Sequence, residues 1–404
     1  MTADVLIVGG GPAGLATALA LRQRGASVTV ADAMGPSIDK VCGEGLMPDS
    51  RRELAQLGVE LEASEGAEFH GIRFVDGVGR QHRSDEPPAI VTAPFPMGVG
   101  IGVRRTVLHR RMAEQAQETG ATIRWRSHVQ LQPDRTVRIA GETIRYGWLV
   151  GADGQSSQVR RWAGLESANL MSRRFAFRQH FAVEPWSAYA EVHWGRSCQI
   201  YVAPVARDTV CVASMSRNPR LRLADALAEL PWLAAKLRGT KSARSALDSE
   251  RGSVLTTRRL HQVAHGRVAL VGDASASVDP ITGEGMAMGF RQALLLADCL
   301  GRSESEPAMA RYDRLHPQLL RVPQTMARAM LLMDRFPALR DRALGALVAK
   351  PALFSRLLSV HLGAESIAHF VAHKGLDLAW QLASQPVTAE AGMLSQALQR
   401  FRPS

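Results

Sequence analysis

DVLIVGGGPAGLATALALRQRGASVTVAD, residues 4–32, decides the fold. Val5 to Val8 is an apolar run too short for a helix and closed by Gly9-Gly10-Gly11, which predicts a buried strand entering a tight turn. Pro12 suits the first turn of a helix, Leu15, Ala18 and Leu19 give that helix an apolar face, and Gly25 stands where a C-terminal cap is wanted. Ser27 to Ala31 reads as a second strand ending on Asp32. Gly9, Gly11 and Gly14 fit G-x-G-x-x-G: a tight turn, a close approach of backbone to a pyrophosphate, and close helix-to-strand packing. The helix N-terminus offers unpaired N–H groups to phosphates, and Asp32 is placed to hydrogen-bond a ribose diol. The motif predicts a dinucleotide and does not separate NAD from FAD.

The chain has 404 residues, 46% hydrophobic and 22% charged, which suits a sizeable core in two or three structural units. Its net charge of +11 is carried mostly by arginines spread in pairs such as Arg51-Arg52 and Arg160-Arg161. That spread argues against a nucleic-acid binder and leaves two readings, an arginine-rich surface or attraction to an acidic substrate or carrier protein. Cys42, Cys198, Cys211 and Cys299 form no C-x-x-C pair and no zinc spacing, so neither disulfides nor a metal are expected and a reducing, cytoplasmic setting is the default. No signal peptide is expected, and no apolar segment approaches the ~18–20 residues of a membrane-spanning helix.

Residues 36–46, PSIDKVCGEGL, form a loop after the second strand, where loops face the ligand; Lys40, Cys42, Gly43 and Glu44 are therefore expected near the cofactor. No histidine-bearing partner motif accompanies Cys42, which favours packing or contact over a nucleophilic role. After β-like pieces at Phe69 to Val75 and a loop through Pro87, Pro88, Pro94 and Pro96, a helix is predicted over Thr106 to Gly120. Strands are predicted at Ala121 to Val129, Thr136 to Ala140 and Thr143 to Val150. The last of these runs into Gly151-Ala152-Asp153-Gly154, with Ser157 and Arg160 on a following helix. Further on, Val268 to Val271 reads as a strand ending in Gly272-Asp273, and Pro280 to Gly285 feeds a long helix. The N–H groups of Gly283 to Met286 point beyond that helix's N-terminus.

Together, the first stretch, the GADGxxSxVR segment and GDA…DPITGEG resemble the FAD-dependent oxidoreductases of the para-hydroxybenzoate-hydroxylase fold. Lys40-Val41-Cys42-Gly43 and Asp279 to Gly285 are most similar to the geranylgeranyl-reductase-like branch. The resemblance covers about residues 1–160 and 255–320. It implies a Rossmann-like α/β FAD-binding domain, with an inserted antiparallel β-sheet substrate domain and a C-terminal helical segment. The corresponding division is 1–60, 92–165 and 255–305 for FAD, 61–91 and 166–254 for substrate, and 306–404 for the helical region. It further implies that Gly9, Gly11, Pro12, Ala13 and Gly14 face the pyrophosphate, Asp32 and Ala33 the adenosine ribose, Arg105 a phosphate or sugar, and Val129 the adenine. Asp153 would support the pyrophosphate region and Asp273 the ribitol. Lys40, Cys42, Gly43, Pro280 and Gly283 would lie near the cofactor, and Gly285 with Met286 beside the flavin pyrimidine. Three departures stand out: no histidine follows Gly272-Asp273, Ile200 to Pro204 replaces the reductases' Y-x-W-x-F-P, and the halogenases' W-x-W-x-I-P is absent.

Phe175 to Ser214 alternates with period two, as strands of an antiparallel sheet do, with Ala206-Arg207-Asp208 as a hairpin turn. Its polar candidates are Arg178, His180, Glu191, His193 and Tyr201; His180 and His193, whose imidazoles titrate near ~6.5, are first choices for substrate contact or proton transfer. From about 305 the chain reads as helices divided by Pro323, Pro337 and Pro351, whose Met- and Leu-rich faces suit a core, a lipophilic tunnel or a shallow membrane contact. The leading expectation is an FAD-dependent, NAD(P)H-reduced monooxygenase acting with O2 on a small-molecule or carrier- or protein-linked biosynthetic substrate. Alternatives are a reductase of a C=C bond in a lipophilic substrate, a halogenase, or a flavoprotein maturation factor acting on a protein partner.

Overall fold

The computed structural model describes residues 2–77, 88–166, 168–237, 249–301 and 307–384. Pro87 and the chain beyond 384 lie outside them. The strand Thr2–Val8 is the centre of the first sheet, parallel to Val28–Ala31 on one side and Glu142–Gly151 on the other. Thr122–Arg124 and Val268–Leu270 extend these two flanks, again in parallel. Helices cover such a sheet on both faces, so its central strand is apolar without alternation, and Val5, Leu6 and Ile7 are all buried.

The helix Pro12–Arg22 buries nine of its eleven residues. It packs against Gly285–Gly301 through small side chains: a Cβ at Gly289 would sit 3.1 Å from that of Ala13, and one at Gly272 would sit 2.7 Å from it. Bulk at Ala13 would therefore push both later segments away from the first helix.

The second sheet has eight strands, in the order Ala276–Ser277, Arg251–Leu260, Ala168–Phe181, Thr209–Ser216, Cys198–Ala206, Ala190–Trp194, Gly71–Asp76 and Ile90–Pro94. Period-two alternation predicts its antiparallel pairs; one neighbouring pair, Ala190–Trp194 with Gly71–Asp76, is parallel. Arg251–Leu260 runs unbroken across residue 255. The strand expected over Ala121 to Val129 is interrupted, because Arg126 adopts φ +52° and turns the chain; Val129–Leu131 pairs instead with Thr136–Ile139.

The C-terminal helices Arg321–Arg335, Pro337–Ala349, Pro351–His361 and Ile367–Ser384 follow a helix at Ala308–Leu319. Pro337 and Pro351 each open a helix, where the missing N–H costs nothing. These helices lie on the second sheet. Phe354 stacks on Phe74 with ring centroids 4.5 Å apart, and buried Arg174 bridges Asp279 at 3.2 Å and Asp334 at 2.7 Å.

Candidate active site

Four parallel strands end at one edge of the first sheet, and their carboxyl ends deliver Gly9 to Gly11, Asp32, Ala152-Asp153 and Gly272-Asp273 to one place. Gly9 has φ +112°, and a Cβ there would lie 2.3 Å from the Ala152 carbonyl oxygen; at Gly14 it would lie 1.9 Å from that of Gly9. These two glycines are enclosed by backbone. Gly11, Gly43, Gly154, Gly283 and Gly285 are the opposite case, with no protein atom within 4 Å of where a Cβ would stand. Asp32 accepts from the N–H of Gly10 and of Met34, each at 2.6 Å, which fixes its carboxylate at the cleft.

Side chains from distant segments brace this edge. His109 places Nε2 2.8 Å from the Gly10 carbonyl oxygen, to which it must donate; burial pushes its pKa down against the upward pull of that bond, so the ring is neutral. Arg160, buried, donates to the carbonyls of Ala274 at 3.0 Å and Gln155 at 2.7 Å, bolting the two returning segments together. Asp153 accepts from the N–H groups of Gln158 and Val159, and its other oxygen, Oδ1, is buried without a partner. Lys40 pairs with Asp273 at 2.9 Å across 233 positions of sequence.

Glu44, next to Cys42 and Gly43, is the hub of the opposite wall. It sits at φ +59° and is 1% exposed. Its carboxylate takes Arg178 at 2.7 Å, the Arg105 N–H at 2.9 Å and His180 Nε2 at 2.6 Å. Burial alone would raise its pKa; His180, Arg178 and the Arg105 amide outweigh that and hold it low. Cys42 Sγ accepts from the Glu44 N–H at 3.3 Å.

One continuous cavity of about 1080 Å³ joins these parts. Gly9, Gly11, Pro12, Ala13, Asp32, Ala33, Lys40, Cys42, Gly43, Arg105, Val129, Asp153, Tyr201, Asp273, Pro280, Gly283, Gly285 and Met286 all line it. Gly14 stands behind the glycine turn. Tyr201 donates to the Ile281 carbonyl at 2.8 Å, and burial keeps its phenol protonated. His180 and His193 stand behind the wall, buried and bonded to Glu44 and Glu191 respectively, while Glu191 itself reaches the cavity. Arg178 is likewise buried against Glu44 and Asp39.

The far end of the cavity is built by the C-terminal helices. Met326, Met330, Met333, Leu347, Phe354, Leu357, Leu358, Leu378 and Leu382 line it, facing Ile72, Phe74, Val192 and Met215 of the second sheet. Among the described residues, everything this helical region contributes to the lining is apolar except His361. The helices were legible as apolar; that they wall a cavity was one of three readings.

The near end fits a dinucleotide. The helix Pro12–Arg22 has no side chain capping its N-terminus, Arg105 Nε is buried without a partner there, and the open glycines leave the space a ligand backbone needs. A family model described as "FAD binding domain" matches residues 2–329. The menaquinone reductase of Mycobacterium tuberculosis is 28% identical over 366 residues, covering 83% of this chain and 85% of that protein. A ubiquinone hydroxylase of Rhodospirillum rubrum is 29% identical over 345 residues, covering 78% and 77%. In structure, a geranylgeranyl bacteriochlorophyll reductase-like protein of Thermoplasma acidophilum superposes with a TM-score of 0.69 at 21% identity, over 93% of this chain and 99% of that one, a likeness of fold.

Proposed function

The chain belongs to the FAD binding domain family, and from that premise we propose that it adds hydrogen across a carbon–carbon double bond of a lipophilic substrate with an isoprenoid tail. The observation that carries this reading is the apolar arm of the cavity. Beyond the end that fits a dinucleotide, the C-terminal helices line the cavity with methionine, leucine, alanine and phenylalanine. Methionine side chains adapt to a flexible chain as they do to irregular cores. The similarity to a menaquinone reductase over most of both chains supports a reduction and a lipophilic, isoprenoid-tailed substrate.

When bound, FAD supplies a ring that donates hydride and is recharged by NAD(P)H, the reductant typical of the family. The protein's part is placement. The glycine turn and helix N-terminus would hold the diphosphate, Asp32 the ribose, and Asp273 with Lys40 the sugar alcohol. Glu44 fixes the Cys42-Gly43 loop on one side and the start of the Arg105–Glu118 helix on the other. Tyr201 pins Ile281, and so the Pro280 to Gly285 loop, against the second sheet. The apolar arm excludes water and holds the tail.

Incubating the protein with NAD(P)H, menaquinone and isotopically labelled dioxygen tests the reading. A product free of labelled oxygen and still heavier by two hydrogens after its ring is reoxidised to the quinone is expected. A hydroxylated product carrying the label would establish instead the oxygen-inserting chemistry that the sequence first suggests.

Such a substrate partitions into lipid. The helix Ile367–Ser384 turns Leu378 and Leu382 into the cavity and presents Leu376 and Trp380, 90% and 71% exposed, on its other side. Large apolar side chains left this exposed mark a contact face. No single helix among the described residues is long and apolar enough to cross a membrane. With a net charge of +11, a shallow contact with an anionic leaflet is the expected arrangement. Leu376→Asp combined with Trp380→Asp is expected to lower co-flotation with anionic liposomes at least tenfold while flavin content is retained. Unchanged flotation would assign that face to another partner.

A further inference from the structure

The helix Gly285–Gly301 carries Arg291, which reaches back to the helix Pro48–Gln56 and pairs there with Asp49 and with Glu53, the latter at 2.5 Å. A third carboxylate, Glu284, approaches the same guanidinium at 3.8 Å. Glu284 is 1% exposed, and neither of its oxygens makes a well-formed hydrogen bond, the Thr282 side chain being its one weak partner. Its second oxygen lies 3.6 Å from His361 Nδ1, and His361, the last residue of Pro351–His361, lines the apolar arm. Three buried acids thus share one close cation; Arg52 adds a weaker attraction at Glu53.

Ionising all three acids would leave unbalanced negative charge in a poorly solvated place, so the cluster retains a proton. Burial, with Asp49 adding repulsion, pushes Glu284 up to about 8 against the pull of Arg291. Burial likewise raises Glu53 to about 7 and lowers His361 to about 4. At neutral pH the facing groups are therefore a carboxylic acid and a neutral imidazole.

We propose that Glu284 and His361 form the proton-donating couple of the cavity. Hydrogenating a double bond takes a hydride on one carbon and a proton on the other, and the inference rests on that reaction for its substrate. The imidazole gives its Nε2 proton to the second carbon and takes the Glu284 proton at Nδ1, so it ends neutral as the other tautomer and Glu284 ends ionised. Water restores the Glu284 proton afterwards through the Glu53 side of the cluster. The 3.6 Å separation is longer than a hydrogen bond and closes by a small turn of the ring, as catalytic contacts do when substrate seats.

Two measurements test the couple separately from the reaction. Infrared difference spectra of the protein without substrate, at pH 7, should show a protonated carboxylic-acid band that Glu284→Gln removes. No such band overturns the proposal even if reduction is observed. With holoenzyme and menaquinone, His361→Ala should lower the substrate-reduction rate by about 100-fold or more, with flavin content measured alongside. Added imidazole should restore part of that rate, which a purely structural loss would not allow. The wild-type rate should fall as pH rises through about 8, where Glu284 loses its proton, and Glu284→Gln should abolish that limb. Product formation by His361→Ala at the wild-type rate overturns the donor role. If no lipid is reduced while the infrared band behaves as described, the reaction assignment fails and the proton-holding cluster stands.

Discussion

Gly14→Ala should give protein that does not assemble its first sheet and helix, whereas Gly11→Leu should fold and fail to hold FAD. A Cβ at Gly14 would stand 1.9 Å from the Gly9 carbonyl oxygen and 3.2 Å from the Ala152 side chain. The first of these is backbone held by two strands, so it cannot yield, and the loss expected is more than about 4 kcal/mol, the range in which single substitutions unfold domains. Gly11 differs in every respect. Its φ of −71° and ψ of 177° suit any residue, and nothing in the protein lies within 4 Å of the added carbon. Leucine there costs about 1 kcal/mol or less of fold and fills the open space proposed for the diphosphate. Chemical unfolding of the apoprotein and flavin content by absorbance distinguish the two. A Gly11→Leu protein that purifies with full flavin would remove the basis for placing the diphosphate at this turn.

Glu44→Ala is expected to cost about 3–5 kcal/mol, the penalty for removing one partner of a buried ion pair. Arg178 and His180 are 2% and 1% exposed, and both, with the Arg105 N–H, would lose the carboxylate that Glu44 now supplies. Glu44→Gly isolates the cause. At φ +59° glycine relieves a backbone strain of about 1 kcal/mol that glutamate tolerates, yet the pairing is lost all the same. Both variants should therefore unfold at much lower denaturant concentration than wild type and show altered flavin absorbance, since the Cys42-Gly43 loop is released. Wild-type stability in Glu44→Gly would mean that backbone geometry, and not the ion-pair hub, matters here.

The near half of the site was legible because its chemistry is local. A strand, a glycine turn, a helix and an acid follow one another within residues 4–32, and the two returning motifs carry their own strand-to-turn signatures. Lys40 and Asp273 were each expected near the cofactor, and both line the cavity; that they pair was not visible, since 233 positions separate them. The second sheet was legible as alternation, and alternation cannot tell inside from outside. His180 and His193 were accordingly singled out for substrate contact, and they stand one layer behind the wall while Glu44 and Glu191 reach the cavity. His109 and His361 gave no signal at all. Each lies on an ordinary helix, and its place opposite Gly10 or Glu284 follows from packing between distant segments. Glu284 was read as part of a loop motif, its partners Asp49, Glu53 and Arg291 being invisible to local pattern.

The most direct measurement is anaerobic. Protein whose flavin has been reduced is mixed, without oxygen, with a polyprenyl-tailed quinone whose ring is already in the hydroquinone form, so that the alkene is the available acceptor. Return of the oxidised flavin absorbance, matched by loss of one double bond per flavin, is the result predicted here. Flavin that stays reduced until oxygen is admitted, and then yields an oxygenated product, would contradict it.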